Sequence, residues 1–121
     1  MQLDAEPLLA ELAQKIGTLP ADTAMVGIHT GGVWAAEKLH AMLGIRQPLG
    51  KLAVTLHRDD FGKIGLHPQK KATDMPFDVN GRHILLVDDV LNSGRTLRAA
   101  MNELFDFGRP ASVRLAVLVD R

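Results

Sequence analysis

Short apolar runs alternating with segments of helical pattern do most to limit what this chain can become. Residues 24–29 (Ala-Met-Val-Gly-Ile-His), 84–87 (Ile-Leu-Leu-Val) and 113–119 are each short and largely apolar, which is the length and pattern of strands buried on both faces. In 51–57 the apolar Leu52, Val54 and Leu56 alternate with Lys51, Thr55 and His57, predicting a half-buried strand. The intervening segments have the other period. Leu8, Leu9, Leu12, Ala13 and Ile16 recur at helical spacing within 5–17, with Pro7 in the first turn and Gly17 and Pro20 closing the segment. Thr30-Gly31-Gly32 reads as a sharp turn into a second helix carrying Ala35, Ala36, Leu39, Met42 and Leu43 on one face, with Gly44 as its stop. From Arg95 a third helix presents Leu97, Ala100, Met101, Leu104 and Phe105 until Gly108 and Pro110 break it.

Strands alternating with helices predict right-handed crossovers and a mainly parallel central sheet, flanked by helices on both faces, in a single α/β domain over 1–121. In such sheets ligands sit beyond the carboxyl ends of the strands. Both special turns, Thr30-Gly31-Gly32 and Asp88 to Thr96, fall on that edge. From Arg58 to about Asp78 the pattern stops; the stretch holds charges, two Gly, two Pro and the pair Lys70-Lys71. A loop of this length in a compact domain is commonly mobile or functional. The sequence stops at Asp120-Arg121, directly after an apolar strand, which leads us to expect a chain truncated at its C-terminus.

Composition excludes several classes. There is no Cys, hence no disulfide framework, thiolate nucleophile or cysteine zinc site. Lys+Arg and Asp+Glu number 14 each, which weighs against general polyanion binding. Four Phe and one Trp are few for a single-strand stacking platform. The apolar runs fall far short of the ~20 residues needed to cross a bilayer, and Met1-Gln2-Leu3-Asp4 lacks the basic start of a signal peptide. A cytoplasmic domain that touches no membrane is expected.

The most informative string is Ile84-Leu85-Leu86-Val87-Asp88-Asp89-Val90-Leu91-Asn92-Ser93-Gly94-Arg95-Thr96. An apolar strand carries two adjacent carboxylates to the sheet edge, a turn at 90–94 follows, and a helix begins. Successive strand side chains point to opposite faces, so two acids converge on one ligand only where the strand is ending. The unpaired N–H groups of residues 93–96, with the hydroxyls of Ser93 and Thr96, make a cup for a phosphate at the helix start. Gly94 lets the backbone come close. Acids beside such a cup suit a sugar phosphate, whose vicinal hydroxyls donate to them. Their mutual repulsion suggests Mg²⁺ in the working state. A Walker-B reading needs a P-loop, and Gly44-Ile45-Arg46-Gln47-Pro48-Leu49-Gly50-Lys51-Leu52 has one residue too many and lacks the Ser/Thr.

This string resembles the phosphoribosyl-pyrophosphate (PRPP) signature of the type I phosphoribosyltransferases. Within that family the chain is most similar to the bifunctional branch that joins uracil phosphoribosyltransferase activity to regulation of the pyrimidine operon. Three further stretches carry the resemblance: Gly27-Ile28-His29-Thr30-Gly31-Gly32-Val33-Trp34, Leu56-His57-Arg58-Asp59-Asp60-Phe61, and Phe105-Asp106-Phe107-Gly108-Arg109-Pro110-Ala111-Ser112 leading into 115–120. It covers nearly the whole chain from residue 24.

The resemblance implies transfer of a 5-phosphoribosyl group from PRPP to N1 of uracil, giving UMP and pyrophosphate. Asp88 and Asp89 would bind the ribose 2′- and 3′-hydroxyls, and Asn92, Ser93, Gly94, Arg95 and Thr96 the 5′-phosphate. Thr30-Gly31-Gly32 would be the pyrophosphate loop. Residues 58–78 would be the flexible loop closing over the reaction, with Arg58 meeting the leaving pyrophosphate; Arg58 and Asp89 are the catalytic candidates. Mg²⁺ would arrive with PRPP and reach Asp88 and Asp89 through water. The branch further implies a homo-oligomer, dimer or higher, and as an alternative function a transcriptional attenuation regulator that senses uridine nucleotides, binds pyrimidine-operon leader RNA and has little or no catalytic activity. Two departures stand out. Gly31 occupies a position where many relatives carry Arg and some members of the branch carry Gly, which implies either slower turnover or a variant of the normal loop, and relatives run several tens of residues further, a tail that supplies part of the uracil hood. Singly, His57 reads as a loop-edge surface residue or a substrate-side group, Lys70-Lys71 as a solvated pair or a pyrophosphate contact, and Trp34 as core or subunit contact rather than a base-stacking platform. Arg95 and Arg98 serve a phosphate or a solvated helix face equally well.

Overall fold

The computed structural model of the chain describes residues 6–29, 31–54, 73–91 and 94–120. Its elements run α1 (Glu6–Ile16), β1 (Ala24–Ile28), α2 (Gly31–Leu43), β2 (Gly50–Leu52), β3 (His83–Leu91), α3 (Gly94–Phe105) and β4 (Ser112–Asp120). The strands form one sheet in the order β2-β1-β3-β4, every neighbouring pair parallel. The chain leaves β1 through α2 to reach β2 on one side, returns past β1 to β3, and moves outward through α3 to β4. The direction of winding therefore reverses between β1 and β3, which is where open parallel sheets part to admit a ligand.

The pleat sorts the core into two layers. Met25, Leu85, Val87 and Ala116 face α1 and α2, where they pack with Leu9, Ile16, Ala35, Ala36 and Leu39. Ala24, Val26, Ile28, Ile84 and Leu86 face the other way, against Ala100 and Leu104 of α3 and Val79. Helices on both faces are thus dictated by period-two burial along β1 and β3. The helix ends follow from Gly17 and Gly44, at φ +70° and +64°, the left-handed conformation that stops a helix at low cost. The apolar stripes are narrower than the sequence predicts. Met42 is 46% and Phe105 51% exposed, and Trp34, expected in the core or at a subunit contact, is 44% exposed.

Two segment boundaries also differ. Of the strand expected at 51–57, residues 51–54 are described: β2 runs Gly50–Leu52, Ala53 and Val54 lie beyond it, and Thr55, Leu56 and His57 lie outside the described residues. Residues 73–78, expected as loop, return along β2. Lys51 and Asp74 exchange backbone hydrogen bonds of 2.7 and 2.8 Å, and Ala53 N–H donates to Thr73 Oγ1 at 2.9 Å. Met75 and Phe77 then pack beside the α3 layer. No helix among the described residues is long and apolar enough to cross a membrane.

Close contact between α2 and the sheet fixes the site edge. A Cβ at Gly27 of β1 would lie 2.8 Å from both Ala36 Cβ and Val33 Cα. The missing side chain lets α2 settle onto β1, which carries its first turn to the rim beside β3.

Candidate functional site

The sequence reading ends the third strand near Val87 and places a turn at 90–94. Instead β3 continues to Leu91, pairing Asp88 with Val117, Val90 with Val119 and Leu91 with Asp120. The long β4 supplies backbone partners for Asp88, Val90 and Leu91, so the ladder outruns the apolar run of β3 itself. α3 correspondingly starts at Gly94, one residue earlier than expected.

Although they lie within a strand, the two acids interact. Asp88 is 8% exposed, and its Oδ1 accepts the Asp89 N–H at 2.8 Å. Both abut the start of α2. A Cβ at Gly32 would stand 2.5 Å from the Val87 carbonyl oxygen, 2.9 Å from Asp88 Cα and 3.3 Å from Asp88 Oδ1; at Gly31 it would run into the Asp89 carboxylate. Two glycines of the second helix thus seat its N-terminus on two carboxylates of the third strand, across the seam where the winding reverses. The positive end of the helix dipole faces the acids and offsets part of their repulsion. This contact also gives Gly31 a physical reason: in this chain, a side chain there requires Asp89 to move.

Burial and the neighbouring carboxyl push Asp88 up from 3.8 to about 6. Loss of water around the carboxylate is the largest cause, a hydrogen bond between the two carboxyl groups and repulsion from Asp89 add to it, and the Asp89 N–H opposes it. Between these two values the folded protein holds a proton that the unfolded chain has released. Asp88 therefore weighs against folding above pH 6, and the penalty fades as pH falls towards 4. Comparing urea midpoints of wild type and Asp88→Asn checks this: the variant's advantage should be largest near pH 8 and shrink as pH drops through 6. A gap that widens on acidification would contradict it.

The expected phosphate and pyrophosphate groups are described in part. Gly31 and Gly32 form the first turn of α2, and Gly94, Arg95 and Thr96 begin α3; for Arg95 and Thr96 only the backbone is described. Thr30, Asn92, Ser93 and Arg58 lie outside the described residues, as do Lys70 and Lys71. Arg98 is exposed. The structure thus brings Asp88, Asp89, Gly31 and Gly32 together. No cluster of three or more His, Cys, Asp or Glu side chains suited to a metal occurs among the described residues. A cavity of about 370 Å³ opens at the opposite, amino edge, lined by residues including Thr18, Thr23, Leu43 and Arg46, away from the paired acids.

One residue escaped the sequence reading. His29, taken as the last residue of the first strand, is half-buried just beyond β1, with its N–H donating to the Leu52 carbonyl at 2.9 Å. Its Nε2 is shut off from solvent and has no hydrogen-bond partner among the described residues. The only sequence signal is its place directly before the Thr30-Gly31-Gly32 turn.

Comparison with known proteins agrees with this architecture. Residues 3–121 match the phosphoribosyl transferase domain family. Over 116 residues, 96% of this chain and 66% of the relative, the sequence is 56% identical to the bifunctional protein PyrR of Pseudomonas entomophila. It is 60% identical over 100 residues to that of Nitrosococcus oceani, covering 81% of this chain and 56% of the relative. The chain thus spans somewhat under two thirds of the length of the curated relatives it matches. Among solved structures, a hypoxanthine-guanine phosphoribosyltransferase of Bacillus anthracis superposes with a TM-score of 0.73 at 18% identity, covering 99% of this chain and 72% of that one. A purine phosphoribosyltransferase of Pyrococcus horikoshii gives 0.70 at 23% identity over 95% and 71%. The domain match over residues 3–121 and the identity to these relatives establish that the chain belongs to the phosphoribosyl transferase domain family.

Proposed function

We propose that the protein binds PRPP at the β1–β3 seam and transfers its phosphoribosyl group to N1 of uracil. The observation that carries this reading is the meeting of Asp88 and Asp89 with the start of α2, with a new helix beginning at Gly94, five residues after Asp89. Carboxylates accept hydrogen bonds from the ribose 2′- and 3′-hydroxyls, and the first-turn amides of α3, with Asn92, Ser93 and Thr96, hold the 5′-phosphate. Thr30-Gly31-Gly32 offers backbone donors to the pyrophosphate, and Arg58 meets it as it leaves. In the reaction the bond from ribose C1 to the pyrophosphate oxygen breaks, a bond to uracil N1 forms and the N1 proton is lost. Positive charge builds on the sugar in between, and Asp88 and Asp89, held at its hydroxyls, stabilise it. No side-chain nucleophile is needed, in keeping with a chain that has no Cys.

Two carboxylates fit a Mg²⁺ that arrives with the substrate, since this ion is commonly held by one or two acids together with phosphates and waters. Bound to PRPP, Mg²⁺ neutralises charge on the departing pyrophosphate. Uracil is preferred to a purine because the relatives that are more than half identical to this chain over the aligned residues are PyrR proteins. The purine enzymes share only its fold.

Protein given PRPP, Mg²⁺ and one base at a time is expected to form UMP from uracil, slowly, and no nucleotide from hypoxanthine or adenine. Nucleotide from a purine alone, or from none of the three, would overturn the assignment. We propose further that the protein couples this site to control of pyrimidine-biosynthesis messages, as the bifunctional name of its relatives suggests. Leader RNA held through several phosphates must be lost steeply with added salt; a flat salt response would remove that arm alone.

A further inference from the structure

The geometry points to a second anion site, at the amino edge of the sheet and opposite the paired acids, which takes a phosphate group, free or as a phosphomonoester. It does not depend on what the β1–β3 seam binds. The first ground is a row of polar side chains that the pleat turns to one face. Ala24 pairs with Ile84 and His83 with Ser112, so Thr23, His83 and Ser112 stand side by side where β1, β3 and β4 begin. Arg114, paired with Leu85, follows two residues along β4. Alternation sends all four to the face of Met25, Leu85 and Ala116, the one that α1 and α2 cover. There His83 Nδ1 and Ser112 Oγ share a hydrogen bond of 2.7 Å. Together with Leu19 and Pro20, the four line a hollow of about 70 Å³, room for about two waters at ~30 Å³ each or for one tetrahedral oxyanion. Ser112 and Arg114 are exposed, which leaves that side open to an entering ligand.

The second ground is an unfilled hydrogen bond. Thr23 is only 4% exposed, and its Oγ1 has no partner among the described residues. Buried polar atoms are rarely left so unless a ligand, ion or water completes them. The third is charge. Through Leu19, Pro20 and Thr23 the hollow adjoins the cavity of about 370 Å³ that Arg46 lines, and through Arg114 it adjoins a groove lined by Lys15. None of the described residues lining the three is acidic, in a chain whose basic and acidic residues number 14 each. Cations gathered without acids give this corner a positive field. A phosphate brings negative charge and acceptor oxygens; the Thr23 hydroxyl and the Arg114 guanidinium supply donors. With His83 Nδ1–H given to Ser112 Oγ, the serine hydrogen is free to join them. The larger cavity houses the remainder of an esterified ligand.

Titration of isotope-labelled protein with inorganic phosphate, followed amide by amide by NMR, tests this because it separates the amino edge from residues 94–96 at the other end of the sheet. Sodium chloride at equal ionic strength is the control. The amides of Thr23, His83, Ser112 and Arg114 are expected to shift saturably with phosphate and not with chloride. Thr23→Val, nearly isosteric, and Arg114→Gln should each weaken this binding about tenfold, the usual worth of one hydrogen bond to a charged group. Thr23→Val should melt no lower than wild type, because an unpaired buried hydroxyl has been replaced by a methyl. Ser112→Ala, at an exposed position, should weaken binding likewise and decides the matter if the Val variant fails to fold. Glycerol phosphate as a second probe distinguishes the two sources. Tighter binding with shifts that reach Gly44, Ile45 and Arg46 identifies an ester, whereas shifts confined to the hollow identify free phosphate. Shifts that chloride reproduces, saturable shifts at 94–96 alone, or wild-type affinity in both Arg114→Gln and Ser112→Ala would overturn the site and leave the PRPP reading standing.

Discussion

Asp88→Asn is expected to bind PRPP and UMP about ten- to a hundredfold more weakly than wild type while remaining at least as stable at pH 8. Hydrogen bonds to a charged acceptor contribute about 1.5–3 kcal/mol each, and the neutral amide keeps the shape but not the charge. Stability moves the other way because Asp88 is a buried acid pressed by its neighbour, with its pKa raised to about 6. An amide oxygen can still accept the Asp89 N–H that Oδ1 now takes at 2.8 Å, so the strand loses nothing. Asp89→Asn should lose binding to a similar extent. Calorimetric affinities beside urea unfolding curves provide the check. Wild-type binding in both variants would remove the ribose site; collapse of the fold would show that the carboxylates are structural.

Gly32→Ala is expected to damage fold and site together. The added methyl meets the Val87 carbonyl oxygen at 2.5 Å and Asp88 Cα at 2.9 Å, and neither is a flexible chain end that can swing aside. Overpacking of this kind costs about 1–3 kcal/mol, and each kcal/mol lowers the melting temperature of a domain this size by about 4 °C. Relief requires α2 to lift from β3, which separates the glycine turn from the acids, so ligand affinity should fall as well. Gly31→Ala is the informative contrast. Its obstacle is the Asp89 carboxylate, which can rotate, so that variant should lose less stability while still disturbing binding. Equal stability in Gly32→Ala and wild type, read by thermal unfolding, would show that the helix seat is looser than described.

The layer plan was legible because it depends on period alone. Met25 and Val26, Leu85 and Leu86, send alternate side chains to opposite faces, and any reader of the sequence meets that alternation. The paired acids were legible for a similar local reason, two carboxylates at the end of an apolar run. What escaped notice was non-local. β3 extends through Leu91 because β4 is there to pair with it, and Asp74 joins Lys51 through backbone bonds that leave no mark on side-chain pattern. The collision of position 31 with Asp89 exists only once two crossovers have brought the start of α2 beside the end of β3. His29 gave no signal because an imidazole at a strand end looks the same whether or not its nitrogen finds a partner. Chemistry carried by neighbours in sequence was readable; chemistry assembled by the winding was not.

The seating of Gly31 and Gly32 on Asp88 and Asp89 ties occupancy to cohesion. Residues 24–27 and 84–87 meet through the backbone ladder between β1 and β3 and through the side chains that they send to both faces, and whatever bridges the glycine turn and the acids must also clamp those two strands together. A ligand that prefers the native arrangement adds its saturation free energy to global stability, about 2.7 kcal/mol at a hundred times its dissociation constant. The amides of that ladder, already the most enclosed of the sheet, would then exchange with solvent more slowly still, making the centre of the molecule a gauge of what is held at its rim.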